Sequence, residues 1–145
     1  HDQSSAASDV YKRQSIESVT KKEFTESDIM LAKFGTAVIS DVKSNAILLV
    51  STTKTGFATV GVGPGQTSRV EAVRIAARRA GDRAKGSMMI SDAFFPFRDG
   101  IDTANEIGVE SIVQPGGSMR DSDSITAADE HDMSMIFTNR RLFLH

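Results

Sequence analysis

At 145 residues and 39% hydrophobic, the chain is long enough for one domain with its own core and too short for two. A net charge of −2 gives no long-range field to hold a polyanion, which argues against nucleic acid and acidic membrane surfaces as partners. There is no cysteine, and His1, His131 and His145 are scattered, so neither a disulfide scaffold nor a metal site is expected. With no apolar run near the roughly 18 residues of a spanning helix and no apolar signal segment, a soluble cytoplasmic protein is expected.

The opening "HDQSSAASDVYKRQ" is polar, rich in small residues and without periodicity, so residues 1–14 are expected to be disordered and outside the fold. The stretch also resembles a translated sequencing-library adaptor, and the folded domain is expected over residues 15–145. Thr25 followed by Glu26 and Asp28 reads as a helix start, where a hydroxyl takes an orphan amide and carboxylates meet the positive end of the dipole. A helix over about 26–38 follows. "NAILLVS", the turn residues "TKTG" and "FATVGVG" predict a β-hairpin ending in glycines. In "RVEAVRIAARRAGDRAK", Val70, Val73, Ala76, Ala77 and Ala80 form one helical stripe, with Arg74, Arg78 and Arg79 largely off it. "SMMISDAFF" reads as a buried strand, and "DGIDTANEIG" as a short helix closed by Gly108. "VESIVQPGGS" is a strand and glycine loop, "SITAADEHD" a helix, and "MSMIFTN" a last strand. The alternation predicts an α/β fold, a three-layer mixed sheet with helices on both faces.

In such a sheet ligands settle at the carboxyl ends of strands, where three segments fall. In "VGVGPGQTSR", Gly61, Gly63 and Gly65 can let backbone approach an anion or planar group, with Gln66, Ser68 and Arg69 as polar contacts; a glycine turn with a helix cap is the reading that the pattern alone favours. In "SDAFFPFRDG", Phe94, Phe95 and Phe97 can flank a flat heterocycle and Asp99 can accept from its nitrogens; a strand end with a satisfied Asp–Arg pair is the alternative. In "QPGGSMRD", Gly116 and Gly117 admit a phosphate or merely permit a turn. His131 reads as a solvated helix-end residue, Met88, Met89, Met133 and Met135 as core, and Lys43 to Asn45 as capping residues at a strand entry.

Taken in order, "VKSNAI", "GVGPGQTSRV", "KGSMMISDAFFPFRDGID", "VQPGGSMRD", "AADEHDMSMIFT" and "RRLFLH" resemble the carboxyl end of the bifunctional purine biosynthesis enzymes that combine AICAR transformylase with IMP cyclohydrolase. The resemblance runs from about Val19 to His145. It implies part of a cytidine-deaminase-like transformylase domain, which moves a formyl group from 10-formyltetrahydrofolate, a cosubstrate, to the amino group of the aminoimidazole nucleotide AICAR. It further implies that Asn45, Arg69, Phe94 and Arg141 contact the nucleotide and that Pro96, Phe97 and Asp99 face the folate. No metal is implied, and the partners are AICAR and the formylfolate, with a homodimer of the longer protein. The family's catalytic Lys-His pair is expected upstream, because this chain contains no Lys-His dipeptide; no catalytic residue is therefore assigned within it. The expected activity is that of a formyltransferase fragment, inactive alone. The alternative is a stand-alone, non-catalytic nucleotide- or folate-binding module.

Overall fold

In the computed structural model, which describes residues 17–139, hydrophobic periodicity translates directly into layers. Thr25 starts helix α1 (Glu26–Ile39) with a reciprocal capping box: its hydroxyl accepts from the Asp28 amide at 3.1 Å, and the Asp28 carboxylate accepts from the Thr25 amide at 2.9 Å. Strands β2 (Ile47–Thr52) and β3 (Phe57–Gly63) form the hairpin. Helix α2 (Arg69–Ala80) follows, continued by a 3-10 turn at Gly81–Ala84. Strand β4 (Met88–Ser91), helix α3 (Asp99–Glu106), strand β5 (Ser111–Gln114), helix α4 (Asp121–Glu130) and strand β6 (Ser134–Phe137) complete the alternation. A two-residue strand, β1 (Glu17–Ser18), pairs antiparallel with β6.

The sheet order is β1-β6-β5-β4-β2-β3. Strands β4, β5 and β6 run parallel through helical crossovers, while β2 is antiparallel to both β3 and β4. The sheet is therefore mixed, as the pattern predicts. Alternate residues separate two cores. Ile47, Leu49, Met89, Ile112 and Met135 face α2, α3 and α4, and Leu48, Val50, Met88, Ile90 and Val113 face α1. Both faces of the central strands are buried, which is why they read as nearly continuous apolar runs. The four methionines expected in the core are all buried.

The α2 stripe comes out slightly rotated. Ala72, Val73, Ala76 and Ala80 are buried, whereas Val70 and Ala77 are half-buried. The cause is the strand beneath. A Cβ on Gly61 would collide with the Ala76 carbonyl oxygen, and one on Gly63 with that of Ala72. Two glycines on one face of β3 and two alanines one helical turn apart thus let backbone rest on backbone. Gly61 and Gly63 accommodate a helix where the sequence allowed for a ligand.

Strand β4 also ends earlier than expected, at Ser91. Ser91 Oγ donates to the Ala93 carbonyl at 2.6 Å, and the Asp92 side chain turns inward, so the chain leaves the sheet before the phenylalanines. No described helix is long and apolar enough to cross a membrane.

Because backbone rather than a flexible side chain meets the missing Cβ, Gly63→Ala should lower the unfolding free energy by about 3 kcal/mol, the upper end of the usual overpacking range. Urea denaturation of the whole chain measures it; a loss below ~0.5 kcal/mol would show that α2 lifts freely from β3.

Candidate functional site

Strand registers align Gly63, Ile47, Ser91, Gln114 and Phe137 in one row across the sheet. Every segment singled out in the sequence leaves from this row, at the carboxyl ends of β3, β4, β5 and β6 and at the entry to β2. At the β2 entry, residues 43–45 pair with the glycine loop. Asn45 and Gln66 exchange backbone hydrogen bonds at 3.1 and 3.0 Å, and the Gly65 amide donates to the Lys43 carbonyl at 2.8 Å. Gln66 Nε2 donates to the Pro64 carbonyl at 2.8 Å and Ser68 caps α2 by accepting from the Glu71 amide, so both side chains serve the loop itself.

The centre of this edge is an ion pair. Arg69 donates to the Asp92 carboxylate, whose side chain is 0% exposed against 9% for the arginine. Asp92 also accepts from the Ala46 amide at 3.1 Å, while the guanidinium donates to the Ala46 carbonyl at 3.2 Å and to Asn45 Oδ1 at 3.0 Å. Buried charges are tolerable only with such added hydrogen bonds. Among the described residues, three hydrogen bonds to Asp92, Ala46 and Asn45 leave the guanidinium two N–H groups. Asn45 Nδ2 donates to the Thr67 carbonyl at 3.3 Å. Arg69 and Asn45 therefore stand in direct contact, and Arg141 lies outside the described residues.

The aromatic loop divides its rings among different tasks. Phe95 is buried in the core, against Gly100, where any side chain would strike its ring. Phe94 is half-buried, Pro96 and Asp99 are exposed, and Phe97 is 55% exposed. One phenylalanine anchors the loop and another is offered to solvent. The anchor is reinforced by Gln114, fully buried at the end of β5, whose Oε1 accepts from the Phe95 amide at 3.4 Å. Asp99 Oδ1 accepts from the Gly100 amide at 2.9 Å, and the other carboxylate oxygen makes no hydrogen bond among the described residues. Arg120, from the loop after β5, lies over the Phe97 ring with Cζ 5.3 Å from its centroid.

In the third segment the amides of Gly117 and Ser118 donate to the Asp121 carboxylate at 2.8 and 3.0 Å. A side-chain anion of the chain itself occupies the place considered for a phosphate, and the turn reading describes this loop. The Asp–Arg pair of "SDAFFPFRDG" forms differently from expectation too. Asp92 pairs with Arg69, and Arg98 bonds Asp102 twice at 3.0 Å and Glu130 at 2.6 Å. His131 Nε2 lies 2.8 Å from Asp102 Oδ1 and is 26% exposed, so it belongs to this surface network joining α3 and α4. The hydrogen bonds from Arg98 hold both the Asp102 and Glu130 carboxyls below their ordinary range.

A cleft of about 370 Å³ opens at the opposite end of the sheet, between residues such as Lys22, Asp28, Lys85, Glu110 and Ser134. Its lining holds no aromatic ring, and its charges of both signs make no single field, so the carboxyl edge is the stronger candidate. Among the described residues no group of three or more His, Asp or Glu is placed to hold a metal ion.

Residues 2–79 match the family model of the AICARFT/IMPCHase bienzyme. The chain belongs to this family. It is similar to the bifunctional purine biosynthesis protein PurH of Shouchella clausii, with 48% identity over 126 residues, which are 87% of this chain and 24% of that protein. The chain thus spans about a quarter of the length of that relative. The bienzyme family resemblance read from the motifs is borne out, and with it the α/β class.

Three residues of this edge escaped sequence reasoning: Asp92, Gln114 and Arg120. Asp92 and Gln114 each follow or end an apolar strand at the position where a polar side chain can turn inward, a signal shared with many strand ends. Arg120 had no local signal, since its partner Phe97 is distant in sequence.

Arg69→Met, which strands the buried Asp92 carboxylate, should lower stability by about 3–5 kcal/mol. Arg69→Met combined with Asp92→Leu should cost less than the sum of the single losses in urea denaturation; additive losses would mean that the two side chains do not act as a pair. Asp102 and Glu130 have lowered pKa values in the folded state, so their contribution is present above the unfolded carboxyl values and is lost as pH falls below about 4. Thermal melts from pH 7 to pH 3 should show a shallower acid loss for Asp102→Asn than for the unaltered chain; parallel curves would remove the network from the acid response.

Proposed function

We propose that this chain provides part of the ligand-binding edge of an AICAR transformylase, which transfers a formyl group from 10-formyltetrahydrofolate to the amino group of AICAR in IMP synthesis. The observation that carries the reading is the convergence on one sheet edge of Asn45 and Arg69 with the aromatic loop that exposes Pro96, Phe97 and Asp99. Flat rings favour aromatic faces, a phosphate-bearing nucleotide favours arginine, and a pterin presents nitrogen donors to a carboxylate. In this reading Asn45, Arg69, Phe94 and Arg141 bind the nucleotide, and Pro96, Phe97 and Asp99 bind the folate.

The reaction requires a weakly nucleophilic amine to be held against a formyl carbon, a tetrahedral oxyanion to be stabilised, and a proton to be removed. The present residues meet the first requirement. Asn45 is fixed by Arg69 and by Thr67, so its remaining amide hydrogen keeps one direction, and Phe95 and Gln114 hold the folate loop from below. Proton transfer falls to a Lys-His pair outside this chain, in the cytoplasm and in a homodimer of the longer protein.

The test places this chain in the Shouchella clausii protein in place of the 126 residues it matches. The chimera should transfer formyl groups to AICAR, and Asp99→Asn should raise KM for the formyl donor about 10- to 100-fold, the value of a charge-assisted hydrogen bond, with the AICAR dissociation constant within about twofold. Nucleotide binding without transfer would favour a non-catalytic module. Equal losses for donor and nucleotide would mean that Asp99 only holds its loop.

A further inference from the structure

Arg120 joins two loops that are far apart in sequence. The loops leave β4 and β5, parallel neighbours in the sheet, and Arg120 of one covers the ring of Phe97 of the other at 5.3 Å. Among the described residues little else ties the guanidinium down. Its side chain is 58% exposed, and among the described residues its charge meets only the Phe97 ring and Asp123, 3.6 Å away and itself exposed, a contact worth little in water. The neighbouring Asp121 carboxylate is already committed to the Gly117 and Ser118 amides.

The Phe97 loop and its cover thus carry charges of opposite sign. Asp99 stands two residues beyond Phe97, one carboxylate oxygen making no hydrogen bond among the described residues, and Arg120 lies over the ring with N–H donors unused among them. A ligand laid along this loop would find an acceptor in Asp99 and a donor cation in Arg120. A folate has that polarity, with a donor-rich pterin at one end and the carboxylates of a glutamate at the other. Resting on the transformylase reading above, we infer that Arg120 binds the glutamate carboxylate of the folate and sets the preference of this edge for glutamylated folates over pteroates.

The experiment titrates the whole 145-residue chain, labelled for NMR, with folic acid and with pteroic acid, which differ only by the glutamate. The amides of residues 97–100 and 117–120 should shift with both ligands, and folic acid should bind about tenfold more tightly, as a charge-assisted contact to a carboxylate requires. Arg120→Ala should erase the preference and leave pteroic acid affinity within about twofold, and Arg120→Lys, which keeps the charge but not the planar fork, should retain part of it. A preference that survives in Arg120→Ala, or equal weakening of both ligands, would overturn the inference and leave the folate reading standing. No shift in either loop with either ligand would remove the folate reading along with it.

Discussion

The carboxyl edge of this sheet depends on one buried ion pair. Asp92 ends the line of β4 and Arg69 opens α2, and between them lies the Ala46 peptide, gripped by both its amide and its carbonyl. Three elements distant in sequence are thereby fixed at one point. An apolar replacement can often match such a pair for stability; it cannot hold a peptide group at both ends or present Asn45 in a chosen direction. The pair supplies geometry.

Packing beneath the edge follows the same economy. Because Gly61 and Gly63 allow α2 to rest on β3 backbone to backbone, Arg69 at the helix start comes close enough to reach Asp92 inside the sheet. A larger residue in β3 would lift the helix and with it the guanidinium. Beside them Phe95 and Gln114 do the corresponding work for the aromatic loop, one by filling the core and the other by accepting a backbone amide where both groups are buried. The loop thus has rigid support below and one exposed aromatic ring, that of Phe97, above.

The chain belongs to the bienzyme family and spans about a quarter of the length of its Shouchella clausii relative. In the proposed reading, residues here position flat and anionic groups, and proton transfer falls to a Lys-His pair, a dipeptide that this sequence does not contain. Binding edge and chemical centre are separable because the first requires only shape and fixed donors, while the second requires matched proton affinities.

Much of the architecture was legible in the residues alone. Strand and helix alternation, the Thr25 start of α1, the hairpin, the closing Gly108 and the methionine core all rest on local periodicity and capping, which neighbouring residues settle among themselves. The motif order identified the family for the same reason, since it is a property of the string. What the string left open was which face each glycine and each charge would turn to. Gly61 and Gly63 admit a helix, Asp92 pairs with Arg69 rather than with Arg98, His131 joins Asp102, and Arg120 covers Phe97. Each of these contacts joins residues that lie far apart in the chain or in different elements, and only packing in three dimensions brings such groups within the few ångströms over which hydrogen bonds and ion pairs act.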